Sequence, residues 1–414
     1  MKVAVVNLGC KVNRVESDTI ALSYLERGGE VVDVAAADLI VVNTCTVTGE
    51  AEKKTRKTIR RALRDNPSAQ MVVTGCAAAI DPAFFTGLSE RICVVDKADL
   101  LEECGDGLAM TAKRMARVGE GFPTRVAVKV QDGCNHSCTY CIVHVARGRA
   151  WSRAADAVEA EVCALADAGV KEVVLTGIDL GSYAWRVEAG GRRLRLAGLV
   201  RRLLGALDAG GHDDVRLRIS SIEPRSLDDE FIELLATSDG RVCRHLHLPL
   251  QAGSDRVLAE MGRPYTAEDF AQLASHLYER VPELSLSTDV IVGFPGETDE
   301  DFEATCALSR TCRFSKMHVF RYSLREGTPA AARADQVAPE VKDARAHALS
   351  SLADELRLAH AQAQVGSVER IVVEQSGQGM TESYYKVRLS GDEAPGSLVR
   401  RKLAGVDAGG TFLV

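Results

Sequence analysis

Residues 126–141 read Val-Ala-Val-Lys-Val-Gln-Asp-Gly-Cys-Asn-His-Ser-Cys-Thr-Tyr-Cys, an apolar strand pattern that leads directly into a loop with three cysteines. The thiols of Cys134, Cys138 and Cys141 follow a C-x3-C-x2-C spacing, which can place three thiolates around one 4Fe–4S cluster. Such a set leaves the fourth iron without a protein ligand, and an open coordination position is typical of catalytic metal centres. The spacing therefore favours a catalytic iron–sulfur cluster in this loop.

Two other interpretations of the cysteine loop remain open from the residues alone. A zinc site needs four ligands, and its cysteines usually come in two C-x2–4-C pairs, so His136 would have to supply the fourth ligand from inside the loop. An iron–sulfur centre that only transfers electrons is the other alternative.

The region around the loop alternates between strand and helix patterns. Short runs rich in valine, isoleucine and leucine predict strands at 126–131, 172–176, 215–220, 245–250, 284–292 and 317–322. Apolar residues at helical spacing predict helices at 155–168, 195–208, 228–237, 267–280, 299–312 and 339–364. These βα units predict a partial (β/α)6 barrel over residues 125–365, with an active site at the carboxyl ends of its strands.

The first hundred residues show the same alternation in shorter units. Strands are predicted at 3–6, 39–42, 71–73 and 92–95, and helices at 15–28, 49–65 and 98–104. The pattern predicts an α/β domain with a doubly wound parallel sheet over residues 1–106. Cys10, Cys45 and Cys76 each follow a predicted strand, so we expect their thiols at one edge of that sheet. A free buried cysteine is usually only a small apolar side chain, but three at equivalent places favour a second iron–sulfur cluster.

The remaining residues divide into a connection and a tail. Glycines and a lack of apolar periodicity predict a linker at 107–124. From residue 366 onward, period-two alternation predicts a small all-β barrel over 366–414. On its central strand, the alternation places Tyr385, Val387 and Leu389 on one face and Tyr384, Lys386 and Arg388 on the other.

Composition restricts the classes of protein that fit these patterns. The 414 residues are 46% hydrophobic and 26% charged, which is ordinary for a soluble globular protein. No apolar run reaches the ~18 residues of a membrane span, and the first residues become polar too soon for a signal peptide. The 12 cysteines of a chain without an export signal indicate metal or redox chemistry in a reducing cytoplasm.

A net charge of −7 argues against nonspecific coating of nucleic acid, so any RNA contact must use local basic patches. Residues 53–64 carry seven basic residues beside an apolar stripe, which favours phosphate contact over an ordinary solvated helix face. A second patch follows the cysteine loop, and a third lies on the C-terminal strand beside an aromatic ring. The candidate RNA contacts are Lys53, Lys57, Arg60, Arg64, Arg147, Arg149, Tyr384, Lys386 and Arg388.

Motifs along the whole chain carry a family resemblance. They are LGCKVNRVES at 8–17, NTCTVT at 43–48, TGC at 74–76, the cysteine loop with RGR at 147–149, TGIDLGSY at 176–183, SSIEP at 220–224, LPLQAGS at 248–254 and TDVIVGFPGET at 288–298. With them the chain resembles the radical S-adenosylmethionine (SAM) methylthiotransferases over essentially its full length. The resemblance implies two 4Fe–4S clusters, one held by Cys10, Cys45 and Cys76 and the other by Cys134, Cys138 and Cys141.

The resemblance also implies the chemistry and the partners. Reductive cleavage of one SAM would give a 5′-deoxyadenosyl radical that takes hydrogen from the unactivated C2 of adenine. The second cluster would hold the sulfur, and another SAM would donate the methyl group. A C-terminal RNA-binding barrel of the TRAM type, and an electron donor such as a flavodoxin or ferredoxin, are implied as well.

The stretch Cys-Lys-Val-Asn at 10–13 resembles the branch of the family that modifies threonylcarbamoyladenosine in tRNA. The isopentenyladenosine branch tends to Cys-Gln-Met-Asn, and the branch that modifies a ribosomal-protein aspartate tends to Cys-Pro-Lys-Asn. Both substrates remain alternatives, as does a non-enzymatic iron–sulfur electron carrier or zinc-dependent RNA-binding module. Two places depart from the family pattern: His144 replaces a usual proline, and Ala77–Ala79 replace Tyr-Ala-Gln, without removing a cluster ligand.

Polar residues and glycines follow the predicted barrel strands, where the resemblance implies SAM binding. Polar side chains there can hold the methionyl or ribose groups, and glycines allow close backbone approach. For Asp289 and Glu223, a buried ion pair with Arg225 or Arg321 is the alternative, and Gly293 can simply form a turn. The candidate cofactor contacts are Gly177, Asp179, Ser221, Glu223, Gln251, Asp289 and Gly293.

Overall fold

The computed structural model describes residues 1–46, 49–102, 124–186, 191 and 193–414. The predicted linker at 107–124 lies outside these residues except for Thr124. Among the described residues, no helix combines the length and the hydropathy that crossing a membrane requires. The domain limits given above stay predictions, and the architecture is described here by its sheets.

A five-stranded parallel sheet forms the amino-terminal part of the fold. Its strands are β1 Lys2–Asn7, β2 Glu30–Val31, β3 Leu39–Thr44, β4 Gln70–Gly75 and β5 Ile92–Val94, paired in the order β2-β1-β3-β4-β5. Its helices are α1 Lys11–Glu26, α2 Gly49–Asp65, α3 Cys76–Ile80, α4 Pro82–Thr86 and α5 Lys97–Glu102. The strands read as continuous valine-rich runs because helices cover both faces of a parallel sheet.

The central part contains six parallel strands in chain order. They are β6 Arg125–Lys129, β9 Glu172–Thr176, β12 Arg216–Ile219, β13 His245–His247, β14 Ser285–Val292 and β15 Lys316–Arg321. Short antiparallel pairs join β7 Gln131–Asp132 to β8 Trp151–Ser152, and β10 Ala184–Arg186 to β11 Arg193–Arg195. The isolated β-bridges Leu217↔Val242 and Ser221↔His247 connect the β12 side of the barrel to its β13 side. The arrangement is the predicted partial barrel.

Helices surround the barrel strands and bury an aliphatic core. They are α6 Val143–Arg147, α7 Ala155–Asp167, α8 Leu196–Ala209, α9 Asp229–Thr237, α10 Asp255–Glu260, α11 Ala267–Arg280, α12 Asp299–Thr311 and α13 Pro339–Ala363. Two of these helices, α11 and α12, begin with a capping box that satisfies their first free backbone N–H groups. Thr266 pairs with Asp269 in the first box, and Thr298 pairs with Asp301 in the second.

The C-terminal part is a six-stranded, mainly antiparallel sheet. Its strands are β16 Val368–Gln375, β17 Gln378–Thr381, β18 Lys386–Arg388, β19 Leu398–Lys402, β20 Gly405–Val406 and β21 Phe412–Leu413. Tyr385 and Val387 are buried in its core, and Lys386 and Arg388 are exposed, as the alternation predicts. The mixed α/β class with an all-β tail is therefore confirmed.

Tyr384 departs from the predicted alternation. It precedes β18 in a tight turn with a left-handed backbone (φ 68°), in which its N–H donates to the carbonyl of Thr381. This conformation turns its ring toward the barrel, where the ring centroid lies 4.6 Å from that of His245. The prediction that Tyr384 shares an exposed face with Lys386 and Arg388 is wrong.

Ion pairs connect the three parts. Glu16 on α1 accepts from Lys129 on β6 at 3.2 Å, and Glu52 on α2 accepts from Arg325, just after β15, at 3.0 Å. The amino-terminal sheet and its helices therefore contact the barrel near both of its outermost strands. On another side, Arg125 on β6 binds Glu374 on β16 at 2.7 Å.

Candidate functional site

The Cys134–Cys141 loop follows β7 at the carboxyl end of the first barrel strand. The backbone N–H groups of His136 and Val143 donate to the sulfurs of Cys134 and Cys141, both at 3.4 Å. Burial, with some contribution from the charge of Asp179, raises the pKa of the Cys134 thiol to about 11, so a bound metal would have to displace the proton. Three sulfur donors in one short loop, two of them with N–H partners that stabilise the thiolate, fit an iron–sulfur cluster.

His136 has a partner other than a metal. Its Nε2 lies 3.2 Å from the carboxylate of Asp179, and this hydrogen bond raises the pKa of His136. Cys134, His136 and Asp179 nevertheless have ligand atoms within 4.8 Å of one another. Asp179, predicted as a cofactor contact, is buried against the cysteine loop.

The second cysteine trio lies at the carboxyl edge of the amino-terminal sheet. In the strand register, Asn7 pairs with Asn43, and Thr44 pairs with Gly75. The thiols therefore follow three adjacent strands: Cys45 and Cys76 are buried and Cys10 is exposed. Burial raises the pKa of Cys76. The Oδ1 atom of Asn13 lies 3.5 Å from the sulfur of Cys10 and accepts from the same guanidinium that donates to Cys76, so these two thiols lie on one hydrogen-bonded network.

Arg147 joins the two cysteine regions. Its Nε donates to the sulfur of Cys76 at 3.2 Å, and its Nη1 donates to Glu16 at 3.0 Å and to Asp132 at 2.9 Å. Its side chain is only 1% exposed. The prediction of Arg147 as an RNA contact is therefore wrong, because its guanidinium is occupied by partners in both parts of the chain.

The candidate cofactor contacts lie in two neighbouring cavities. Gln251 and Asp289 line a cavity of about 170 Å³ together with Cys141 and with Thr46, the residue after Cys45. Gly177 and Ser221 line a second cavity of about 390 Å³, which Asp289 shares and which reaches Cys10. The smaller cavity thus connects Cys141 with the segment after Cys45, and the larger cavity, which shares Asp289 with it, extends to Cys10.

Glu223 and Asp289 have partners other than the arginines considered from the sequence. Arg263 donates to Glu223 and also lies 3.5 Å from the sulfur of Cys138, while the Oε1 atom of Glu223 is buried without a hydrogen-bond partner. Asp289 accepts from His318 at 2.9 Å and lies 3.2 Å from His247. These histidines lower the pKa of Asp289 although burial opposes the shift. The pairing with Arg225 or Arg321 is therefore wrong.

Gly293 forms a turn. Its φ of 71° is left-handed, its N–H donates to the carboxylate of Glu297, and an added Cβ would lie 2.3 Å from the side chain of Lys342. These contacts explain the glycine without a cofactor.

Arg325 is a site residue that the sequence did not reveal. It lies beside Cys141 in the smaller cavity, binds Glu52 of α2, and has a buried Nη2 atom without a hydrogen-bond partner. Because Arg325 stands 273 positions from Glu52, no local pattern could reveal the pair.

The basic helix α2 presents most of its charges to solvent. Thr55 and Ile59 are buried on its apolar stripe. The candidate contacts Lys53, Lys57, Arg60 and Arg64 are exposed, as are Arg149, Lys386 and Arg388.

Comparisons with known proteins give the class. Residues 128–308 match the Radical SAM superfamily, and residues 2–95 match the Uncharacterized protein family UPF0004. The fold resembles the radical S-adenosylmethionine methyltransferase TsrM from Kitasatospora setae, with a TM-score of 0.57 at 18% identity over 80% of this chain and 75% of that one. The fold and the cysteine loop define a radical SAM protein.

Curated relatives narrow the class to a family. The chain is 39% identical to the threonylcarbamoyladenosine tRNA methylthiotransferase MtaB of Bacillus subtilis, over 97% of this chain and 93% of that protein. It is 34% identical to the MtaB of Aquifex aeolicus (97% and 99%) and 34% identical to the tRNA-2-methylthio-N(6)-dimethylallyladenosine synthase of Pelotomaculum thermopropionicum (90% and 86%). The chain belongs to the radical SAM methylthiotransferase family, in the branch of the MtaB proteins. The predicted family and enzyme class are confirmed.

Proposed function

We propose that the protein converts N6-threonylcarbamoyladenosine next to the anticodon of tRNA into its 2-methylthio derivative. The observation that supports the proposal is that two cysteine trios lie beside neighbouring cavities that share Asp289, with Arg147 and Arg325 bridging the parts that hold them. The substrate is inferred from the name of the Bacillus subtilis relative.

The residues fit two clusters and a nucleoside cofactor. Cys134, Cys138 and Cys141 would hold the SAM cluster, and Cys10, Cys45 and Cys76 the second one. When bound, the two clusters and SAM supply a carbon radical that takes hydrogen from C2 of adenine, and the sulfur that replaces it. The unsatisfied Oε1 of Glu223 suits a ribose hydroxyl of the cofactor.

The chain's own residues position these groups. Arg147 fixes α6, directly behind the cysteine loop, against α1 and the edge that carries Cys76. Arg263 binds Glu223 and approaches Cys138, so it orients a proposed cofactor contact relative to the loop. Holding both trios beside common cavities restricts the distance over which sulfur must move, and positioning of this kind supplies much of a rate enhancement.

The proposed partners of the reaction are tRNA and an electron donor. The exposed Lys53, Lys57, Arg60, Arg64 and Arg149 would bind tRNA phosphates, and Lys386 and Arg388 would do so from a TRAM-type barrel. A flavodoxin or ferredoxin would supply electrons, in the cytoplasm.

Mass spectrometry of tRNA nucleosides tests the function. Cells that express the chain in place of their own enzyme should contain 2-methylthio-threonylcarbamoyladenosine, whereas the Cys138→Ala and Cys45→Ala variants should contain only the unmethylthiolated nucleoside. The purified Cys45→Ala protein should still form some 5′-deoxyadenosine, whereas Cys138→Ala should form none.

Cys93→Ala is the matched control, because Cys93 is an exposed thiol on β5 away from both trios. Methylthiolation of isopentenyladenosine instead would transfer the proposal to the substrate class of the Pelotomaculum relative. Full sulfur transfer by Cys45→Ala would refute the role of the amino-terminal trio.

A further inference from the structure

The larger cavity carries positive charge that the protein does not neutralise. Lys11 and Lys316 both line it, and neither ammonium group has a carboxylate partner among the described residues. The Nζ atom of Lys11 lies 5.6 Å from the ring centroid of Tyr384, which lines the same cavity. Burial lowers the pKa of Lys316, and the charges of Arg357 and Lys11 act in the same direction. Both lysines line the same cavity, so one anion bound there can interact with both.

The other charged groups of this cavity are already paired. Asp289 is the one carboxylate among the described lining residues, and it interacts with His247 and His318. Arg218 donates to Glu172 and to the backbone carbonyls of Thr381 and Glu382. Among the described lining residues, no free negative charge is left to compensate the exposed Lys11 and the half-buried Lys316, and for Lys316 this is costly.

Two neutral polar groups in the same cavity also lack partners. The hydroxyl of Ser220 and the Nδ1 atom of His245 are buried without a hydrogen bond, in side chains that are 6% and 5% exposed. Burial lowers the pKa of His245 well below its ordinary value, so its imidazole is neutral. Buried polar atoms without partners are rare in folded proteins, and here they indicate a polar ligand.

We propose that this cavity receives the threonylcarbamoyl group of the substrate, whose carboxylate binds Lys11 and Lys316. The inference rests on the proposed function and names the residues that make it specific. A threonyl carboxylate is ionised at neutral pH and supplies the missing anion, while its hydroxyl and carbamoyl groups match Ser220 and His245 in chemistry. A dimethylallyl group carries neither charge nor polar atoms and would leave all four groups unpaired. Sites built to bind a polar group discriminate strongly against analogues that lack it.

Binding to two synthetic RNA hairpins tests the proposal without turnover. Each hairpin is an anticodon stem-loop, one with threonylcarbamoyladenosine and one with its methyl ester, which removes the charge and adds one methyl group. Fluorescence anisotropy with the reconstituted holoenzyme gives the two dissociation constants. We expect the acid to bind about tenfold or more tightly than the ester, because a hydrogen bond to a charged group contributes about 1.5–3 kcal/mol.

Variants of the two lysines test whether these side chains cause the preference for the acid over the ester. Lys316→Gln and Lys11→Gln should weaken binding of the acid but not of the ester, so the preference falls toward one, and Lys316→Arg should retain most of it. Lys2→Gln is the matched control, because Lys2 is exposed at the opposite end of β1 and should keep the wild-type preference.

Equal binding of acid and ester by the wild-type enzyme would overturn the inference, as would a Lys316→Gln variant that loses both hairpins equally. The proposed function is judged separately by the nucleoside assay. An enzyme that methylthiolates threonylcarbamoyladenosine yet ignores the ester change retains its function and refutes only the lysine site.

Discussion

At the scale of single residues, Arg147 has the most consequential contacts. One guanidinium binds the carboxylates of Glu16 and Asp132, the amide oxygen of Asn13 and the sulfur of Cys76. Its partner Glu16 lies 131 positions before it in the chain. A lysine could not replace it, because only the planar fork of arginine reaches several acceptors at once.

Replacing Arg147 with alanine should strongly destabilise the protein. Two buried carboxylates would lose one of their partners, although Lys129 stays beside both of them. The cost should therefore approach but not exceed the about 3–5 kcal/mol of breaking a buried ion pair from one side. The measurement is the midpoint of denaturant unfolding. Arg149→Ala is the control, because Arg149 is an exposed arginine two positions along and should change stability by no more than about 0.5 kcal/mol. Equal midpoints for the two variants would contradict the role given to Arg147.

The ionisation of Glu172 makes the contact between the barrel and the C-terminal sheet sensitive to acid. Burial alone would raise the pKa of Glu172, but the guanidinium groups of Arg218 and Arg216 lower it to about 2. A lowered folded-state pKa contributes stability above the unfolded-state value and loses it as the pH falls through the folded one. We therefore expect the free energy of unfolding to decrease between about pH 4.5 and pH 2.

Denaturant unfolding at a series of pH values measures this loss. Glu172→Gln should be less stable at neutral pH, since both arginines lose their counter-charge, and its stability should depend less on pH in the acid range. Parallel pH profiles for wild type and variant would show that Glu172 is not responsible.

At the scale of elements, the basic helix Gly49–Asp65 combines two roles. Its apolar stripe packs Thr55 and Ile59 against the amino-terminal sheet, and its first turns supply Glu52 to Arg325 in the barrel. The opposite face carries the exposed lysines and arginines. The helix thus presents positive charge close to the junction where the cavities lie.

Reversing one charge on this helix should weaken tRNA binding. In Lys57→Glu, the loss of one phosphate contact should lower affinity and reduce the slope of log affinity against log salt by about one. Titrations at several salt concentrations measure both. Lys2→Glu makes the same change in net charge at the far end of β1, and an equal effect of the two variants would exclude a specific contact.

Periodicity predicted the elements well and their long-range contacts poorly. The helices expected at 49–65 and 267–280 coincide with Gly49–Asp65 and Ala267–Arg280, because apolar spacing and capping residues are local properties. Tyr384 was misplaced because alternation assumes an extended backbone, and a tyrosine with positive φ gives no warning in sequence. The partners of Arg147, Glu223 and Asp289 come from distant segments, so residue spacing could not identify them. The positions of the two cysteine trios were predictable because the spacing in the loop and the ends of the valine-rich strands can be read from the sequence.

At the scale of the whole molecule, the two cysteine trios belong to separate sheets that meet around the cavities. The amino-terminal sheet and the barrel share no hydrogen-bonded strand pair among the described residues. Their proximity depends on side-chain pairs such as Glu16 with Lys129 and Glu52 with Arg325.

The iron content of the protein should reflect one cluster for each cysteine trio. Anaerobically reconstituted protein should bind about eight irons per chain, and Cys45→Ala or Cys138→Ala should each retain about four. Iron analysis together with Mössbauer spectra measures the number and the type of clusters, and Cys93→Ala should equal wild type. About four irons in the wild-type protein would refute the two-cluster arrangement.

Among the described residues, the amino-terminal sheet is attached to the barrel by side-chain contacts and by no shared strand pair, and this has an evolutionary consequence. Because no described strand of this module pairs with a barrel strand, recombination can exchange the module without breaking the backbone hydrogen bonds of the barrel. Only a few compensating changes at the docking positions, chiefly those of Lys129, Arg147 and Arg325, would be needed to accept a new module. A barrel of this kind could thereby gain a module that carries a different donor group, while the fold of the barrel itself stays the same.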